Sequence, residues 1–387
     1  MSRSRRRFLQ NALGIGGILP FMDAAAFPGT NTFKANEIPH RPQPLKILIL
    51  GGTGFLGPQQ IAYALERGHA ITTFNRGKTV PTTQKDVFNH VEQLLGDREN
   101  NLESLKNRKW DAIIDNSGNK VKWVIDTAQL LKDSADFYLY TSSTGVYYPY
   151  LGSDIKENTK AVLTLPPGLK EPQLSEYSYG VMKINSELEV QKAFGEKRSI
   201  IVRPTYMMGP GDRTERFIYW PVRLSRGGDV MVPGKATDPV QYIDVRDVAN
   251  WMIRLIEEKK AGTYNAVGPS SPTTMHPFVY GAHAAFSSPA NFIAVNDYNF
   301  LKAEKIMEVI PWIMPVDENK GSALINNQLA MANGLALTPL ADSVRDMFDW
   351  WNSDDVKQER RDKLVSGTDA LMAREKEILA KWKSRKK

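Results

Sequence analysis

The chain has 387 residues, 42% of them hydrophobic, no cysteine, and a formal charge of +7. That length suits one large α/β unit, alone or with a smaller lobe, and the missing cysteines exclude disulfides, thiolate metal sites and a thiol nucleophile. Residues 1–26 carry +3 and residues 381–387 carry +5, which leaves −1 for residues 27–380. Phosphate neutralisation needs cations clustered within the fold, so this near-neutral body weighs against a nucleic-acid partner.

Residues 4–10 read Ser-Arg-Arg-Arg-Phe-Leu-Gln, followed by an apolar stretch from Asn11 to Met22 and then Ala24-Ala25-Ala26, which has the form of a cleavage site. The segment resembles a twin-arginine export signal. A spanning helix needs about 20 apolar residues, whereas this run is shorter and holds Gly14, Gly16, Gly17 and Pro20. The expectation is an exported, periplasmic or otherwise extracytoplasmic protein without a stable membrane span after processing. Residues 27–44, rich in Pro, Asn and Thr, read as a linker.

Leu45 to Leu50 is an apolar run suited to a buried parallel strand, and it flows into Gly51-Gly52-Thr53-Gly54-Phe55-Leu56-Gly57 before an apolar helix, Ile61 to Leu65. Gly51 permits a sharp turn, Gly54 lets the backbone approach a pyrophosphate, and Gly57 lets helix and strand pack closely, with free helical N–H groups facing the anion. A second strand, Ala70 to Phe74, ends in Asn75-Arg76-Gly77, and a third, His90 to Leu95, ends in Gly96-Asp97-Arg98. Successive βα units of this kind build a doubly wound sheet. An acidic residue after the second strand pairs with the ribose of NAD, while an arginine accepts the extra phosphate of NADP. Here the acid is missing and Arg76 is present, which tilts the reading toward NADP; Asn75 leaves NAD open. Asp97 is a candidate acceptor for the adenine amino group, with Arg98 beside it.

A fourth strand, Trp110 to Asp115, leads to Asn116-Ser117-Gly118 near the cofactor. A fifth, Phe137 to Tyr140, ends in Thr141-Ser142-Ser143-Thr144-Gly145-Val146-Tyr147. Polar groups at the carboxyl ends of parallel strands face the ligand crevice. Tyr179-Gly180-Val181-Met182-Lys183 opens a helix running to Phe194, and the i, i+4 spacing sets Tyr179 and Lys183 on one face.

With Arg203-Pro204, Gly209-Pro210-Gly211-Asp212, Tyr242 to Ala249 and Tyr264-Asn265, these blocks resemble the extended short-chain dehydrogenases/reductases, in the NAD-dependent epimerase/dehydratase branch. The similarity covers residues 45–270. It implies an α/β fold: a Rossmann-type doubly wound parallel sheet with a smaller C-terminal substrate lobe. Residues 45–204 would form the dinucleotide domain and 205–355 mainly the substrate lobe, with a strand and helix near 240–267 returning to the core; 356–387 would be a charged helix or tail. The resemblance assigns Ser143, Tyr179 and Lys183 as the catalytic set. Tyrosine with a pKa near ~10 is a poor base at neutral pH, so a neighbouring ammonium at Lys183 is expected to lower it. Tyr179, as tyrosinate, would take a hydroxyl proton while Ser143 holds the oxygen.

The segment between Ser143 and Tyr179 carries Tyr147, Tyr148, Tyr150 and Tyr177, rings that either stack on a sugar or cover the loop's own small core. Arg213, Arg216, Tyr219 and Trp220 read either as an anion or sugar pocket or as a packed helix face. The five histidines show no metal-ligand pattern, so no metal is expected. Trp220, Trp312, Trp350 and Trp351 read as core of the smaller lobe. Beyond Lys357, Leu364, Leu371, Ile378 and Leu379 recur near helical spacing, which suggests an amphipathic helix packed on the surface or on a partner. The expected partners are a small molecule of glycosidic type and, in a homodimer, a second copy of the chain. Three functions follow in order. The first is a redox-neutral epimerase or dehydratase that retains its cofactor, the second an NADP-dependent ketone or aldehyde reductase, and the third a non-catalytic dinucleotide-binding protein.

Overall fold

The computed structural model describes residues 43–367 and 369–385. The export signal and nearly all of the linker expected from the sequence lie outside them. The first half alternates β1 (Lys46–Leu50), α1 (Gly57–Glu66), β2 (Ala70–Asn75), β3 (Glu92–Leu95), β4 (Trp110–Asp115), α2 (Val121–Leu131), β5 (Ala135–Thr141), α3 (Gln173–Phe194) and β6 (Ser199–Pro204). His90 closes a 3-10 turn before β3, and the Tyr179 helix starts six residues earlier than its motif. Then follow β7 (Met207–Met208), α4 (Tyr219–Ser225), β8 (Gly228–Pro233), β9 (Pro239–Asp244), α5 (Val245–Glu257) and β10 (Gly262–Ala266).

A seven-stranded, wholly parallel sheet runs β10-β6-β5-β4-β1-β2-β3. Successive side chains of a strand point to opposite faces, and β1 shows the consequence. Ile47 and Ile49 pack with Ile61, Ala64, Val248 and Met252 of α1 and α5. Leu48 and Leu50 pack with Val124, Ala128, Val190 and Phe194 of α2 and α3. Helices on both faces explain why β1 is apolar throughout rather than alternating. The Asp244 side chain caps α5 by accepting from the Arg246 N–H. Of the segment 240–267, α5 and β10 join this layer, whereas β9 pairs with β7 and with β11 (Gly268–Thr274) in a separate three-stranded sheet.

The second lobe adds α6 (Met275–His283), β12 (Ala290–Val295) parallel to β8, α7 (Tyr298–Ala303), α9 (Leu340–Trp351), α10 (Gln358–Ser366) and α11 (Leu371–Ser384), whereas α8 (Gln328–Ala332) packs on the parallel sheet, its Ala330 sharing the core of Ile47 and Ile49. Trp220, Trp312, Trp350 and Trp351 are buried in its core. The charged C-terminal segment is no detached tail. Ile378, Leu379 and Trp382 of α11 enter that same core, and buried Glu375 accepts from the Arg223 guanidinium and from the Met231 N–H at 2.7 Å.

Candidate active site

Two adjoining cavities open at the carboxyl ends of the parallel strands, where ligands of such sheets bind. The first, about 270 Å³, is lined by Gly51, Thr53 and Gly54 from the turn after β1, Asn75 and Arg76 after β2, Asp97 and Arg98 after β3, and Asn116 and Ser117 after β4. The second, about 550 Å³, is lined by Ser143, Tyr179 and Lys183 together with Phe55, Glu176, Asp212 and Arg216. Asn116 and Asn119 line both, so one crevice joins them.

The glycine turn suits a dinucleotide for separable reasons. A Cβ on Gly57 would lie 2.2 Å from the Gly52 carbonyl oxygen, so this glycine lets α1 close on the turn. A Cβ on Gly54 would meet no atom nearer than 4.0 Å, so this glycine keeps space open on the cavity side. No side chain caps the α1 N-terminus and its first turn has no acidic residue. The positive end of the helix is therefore free for an anion. These residues fit a dinucleotide phosphate.

Of the residues assigned to the cofactor from sequence, Leu56, Gly57 and Gly118 do not line this crevice. Phe55 lines its second cavity. Leu56 is buried in the core. Gly118 is held to small size because a Cβ would meet the Tyr140 ring at 2.6 Å, while its carbonyl accepts from the Tyr140 hydroxyl at 2.9 Å. Arg98 lines the first cavity, but both terminal nitrogens of its guanidinium are committed, and its buried Nε has no partner. The guanidinium grips both Asp115 oxygens and donates to Ser117 Oγ, Thr127 Oγ1 and the Trp123 carbonyl. It braces the wall from behind. Sequence reasoning missed Lys78 and Arg213 on this cavity; Arg213 crosses from the second lobe and donates to the Val80 carbonyl at 2.6 Å.

In the second cavity, Ser143 lies two residues past β5 and caps the 3-10 turn Thr144–Tyr147, its Oγ accepting from the Gly145 N–H at 3.0 Å. Gly145 must be small, since a Cβ there would lie 2.9 Å from the Tyr179 ring. Lys183 is 4% exposed. Its Nζ donates to the Thr141 carbonyl at 3.0 Å and stands 5.0 Å from the Tyr140 ring centroid and 5.9 Å from that of Tyr179. Burial lowers its pKa to about 8, opposed by Asp115 and Glu187. Tyr179 is 44% exposed as a whole, yet burial still raises its pKa, opposed by the hydrogen bond with Ser143 and by the charge of Arg216. In the free protein Arg216 is the cation that opposes burial at Tyr179, while the Lys183 ammonium donates to the Thr141 carbonyl.

Beneath this surface runs a buried network that sequence spacing did not disclose. Glu187, one turn after Lys183, accepts from Arg203 Nε at 2.9 Å and Nη2 at 2.6 Å, and from the Ser142 hydroxyl. Arg203 Nη1 donates to the Tyr147 hydroxyl at 2.7 Å, which donates to Asn265 Oδ1 at 2.7 Å. Tyr147 is thus spent on structure. Tyr148 packs edge-on against Tyr150 and Tyr177, covering the loop's own core, and Tyr150 also reaches the second cavity. Of the remaining sequence candidates, Arg216 faces that cavity whereas Tyr219 and Trp220 are core. Among the described residues no group of acidic or histidine side chains is placed to hold a metal, and no helix is long and apolar enough to cross a membrane.

The model of the NAD dependent epimerase/dehydratase family matches residues 47–267. Among curated proteins, the chain is 28% identical over 228 residues to the chloroplast stem-loop binding protein of 41 kDa b of Arabidopsis thaliana, an alignment spanning 56% of each chain. It is 22% identical over 263 residues to the epimerase family protein SDR39U1 of Bos taurus, covering 64% of this chain and 82% of that one. Among solved structures, it resembles the Bordetella bronchiseptica enzyme WbmH in complex with NAD+, with a TM-score of 0.58 at 14% identity, covering 81% of this chain and all of the other. The UDP-N-acetylglucosamine 4-epimerase of Methanobrevibacter ruminantium gives a TM-score of 0.57 at 15% identity, covering 80% of this chain and 98% of that one. These structural likenesses show the fold.

Proposed function

Because the chain belongs to the NAD dependent epimerase/dehydratase family, we propose that it is a sugar-modifying enzyme that oxidises a hydroxyl and re-reduces the resulting ketone within one turnover. The observation that carries this reading is the joined crevice, in which Ser143, Tyr179 and Lys183 line the cavity next to the glycine turn. A nicotinamide bound there supplies the hydride acceptor and donor. Tyr179 removes the hydroxyl proton and later returns it to the ketone, Ser143 fixes the oxygen, and the Lys183 ammonium stabilises the tyrosinate once the crevice is filled.

The dinucleotide we favour is NADP. Arg76, Lys78 and Arg213 converge on a cavity whose only acidic lining side chain is Asp97, a balance that suits an additional phosphate. Retention of the cofactor is supported by the way residues 76–84 are fastened. Arg213 holds the Val80 carbonyl, Trp350 donates to the Thr82 carbonyl at 3.3 Å, and Lys85 pairs with Asp355. A self-recycling reaction needs no external cofactor pool, which accords with export of the folded protein through the twin-arginine signal that we read in residues 1–26.

The test is a single turnover with dinucleotide-loaded protein and a panel of sugars, followed at the absorbance of reduced nicotinamide. A transient that rises and decays is expected, slowed by about 10²–10⁴-fold in Tyr179→Phe. Continuous consumption of added NADPH would instead identify a reductase. An unchanged Tyr179→Phe variant would remove the proposed chemistry.

A further inference from the structure

Behind the second cavity, tyrosine hydroxyls are spent inside the chain. Tyr138 donates to Asp115 Oδ2 at 2.7 Å, Tyr140 to the Gly118 carbonyl at 2.9 Å and Tyr147 to Asn265 Oδ1 at 2.7 Å. That is the ordinary fate of a buried phenol. Tyr150 and Tyr206 depart from it. Both line the cavity beside Tyr179, and both are half-buried. Neither hydroxyl hydrogen-bonds to a described residue, and neither is sealed from solvent.

The two rings are held although their hydroxyls are free. Tyr150, on the loop after β5, donates its N–H to the Glu318 carbonyl at 2.7 Å and accepts from the Gly321 N–H at 2.7 Å, while Tyr148 packs edge-on against its ring at 5.8 Å. Tyr206, between β6 and β7, accepts from the Ile243 N–H at 3.1 Å, and the Arg216 guanidinium lies over its ring, 5.0 Å from the centroid. A ligand that bonds to these hydroxyls therefore has little side-chain freedom to freeze. Burial raises the pKa of both, and nearby Tyr179 adds to the rise in each case. Both phenols are thus neutral near pH 7, and each can donate or accept.

We propose that Tyr150 and Tyr206 are specificity residues whose hydroxyls bond to substrate hydroxyls other than the one that Tyr179 deprotonates. The inference rests on the sugar-modifying reading above. A polyol suits this wall because each of its hydroxyls offers a donor and an acceptor to a neutral phenol. The contact is the same whether the sugar is a simple glycoside or the sugar end of a nucleotide sugar, and proton transfer stays with Tyr179.

The variants are Tyr150→Phe and Tyr206→Phe, which keep the rings and remove only the hydroxyls, with Tyr147→Phe for comparison. The probes are methyl α-D-glucopyranoside, methyl α-D-galactopyranoside, UDP-glucose, UDP-galactose and the monodeoxy analogues of each, with binding to the dinucleotide-loaded full chain followed by saturation-transfer NMR. At least one parent sugar is expected to bind each variant about three- to ten-fold more weakly, and one of its monodeoxy analogues should bind that variant and the unsubstituted chain alike. Because neither hydroxyl has a partner in the chain, melting temperature and dinucleotide content should hold, whereas Tyr147→Phe forfeits its bonds to Arg203 and Asn265 and should melt lower. Unchanged binding of every probe to either variant, equal weakening for a sugar and all its monodeoxy analogues, no binding by any probe, or a melting-temperature loss matching that of Tyr147→Phe would each overturn the proposal. Binding that depends on both tyrosines without a nicotinamide transient would remove the redox reading alone. A transient from variants whose binding matches the unsubstituted chain would remove only the role of these hydroxyls.

Discussion

Two alanine substitutions three residues apart should have opposite consequences. At Gly54 the added methyl meets nothing nearer than 4.0 Å, whereas at Gly57 it falls 2.2 Å from the Gly52 carbonyl oxygen. Gly54 does not have a positive φ, so Gly54→Ala leaves the folded chain unstrained and trims unfolded-state entropy, worth about 0.4–1 kcal/mol of added stability. The same methyl occupies the space through which a phosphate approaches the turn. Loss of one charged hydrogen bond at about 1.5–3 kcal/mol weakens dinucleotide binding by roughly ten- to a hundred-fold. Gly57→Ala instead forces α1 off the turn, at about 1–3 kcal/mol or more. The assay is thermal melting of dinucleotide-free protein together with the dinucleotide content of each purified variant. Gly54→Ala should melt at or slightly above the parent and come out depleted of dinucleotide, while Gly57→Ala should melt several degrees lower. A Gly54→Ala protein with full dinucleotide content would refute the placement of the phosphate.

The pKa of buried Lys183 is lowered to about 8 by burial, against about 10.4 for an exposed lysine. Between these values the unfolded chain binds the extra proton, so stability rises with pH across that window and the cost of the buried charge is fully present below it. Lys183→Met should therefore be more stable than the parent at pH 7 by up to about 3 kcal/mol, with the gain shrinking toward pH 10 in denaturant titrations, and catalytically impaired. Glu187→Leu leaves the Arg203 guanidinium buried without its carboxylate and should cost about 3–5 kcal/mol; adding Arg203→Leu should recover part of that. Arg76→Asp places an acid where a ribose hydroxyl is bound by relatives of this fold and should shift the co-purifying dinucleotide from NADP toward NAD, as read by mass spectrometry.

Strand, glycine turn and helix were legible because each is a local pattern: β1 is apolar on both faces, and its turn must be glycine where α1 crosses Gly52. Tyr179 and Lys183 were legible because helical spacing alone sets them together. Arg213 was left between an anion or sugar pocket and a packed helix face because its contact with Val80 spans 133 positions, a separation that no periodicity encodes. Arg98 looked like a ligand-facing cation because its partner Asp115 ends a different strand. The charged C-terminal segment looked peripheral, since the buried face of α11 is narrow and Arg223, the partner of its buried Glu375, lies 152 residues upstream. Asp212 passed as part of a glycine-rich turn. Only the fold reveals that one of its oxygens is buried without a donor.

The central claim is that the chain works on a nicotinamide dinucleotide it keeps. The most direct test is absorbance and mass spectrometry of the ligand released when the purified full chain is denatured. The account requires close to one NADP or NADPH per chain in protein never exposed to added cofactor. Protein that releases no dinucleotide, yet turns over once NADPH is supplied, would contradict it.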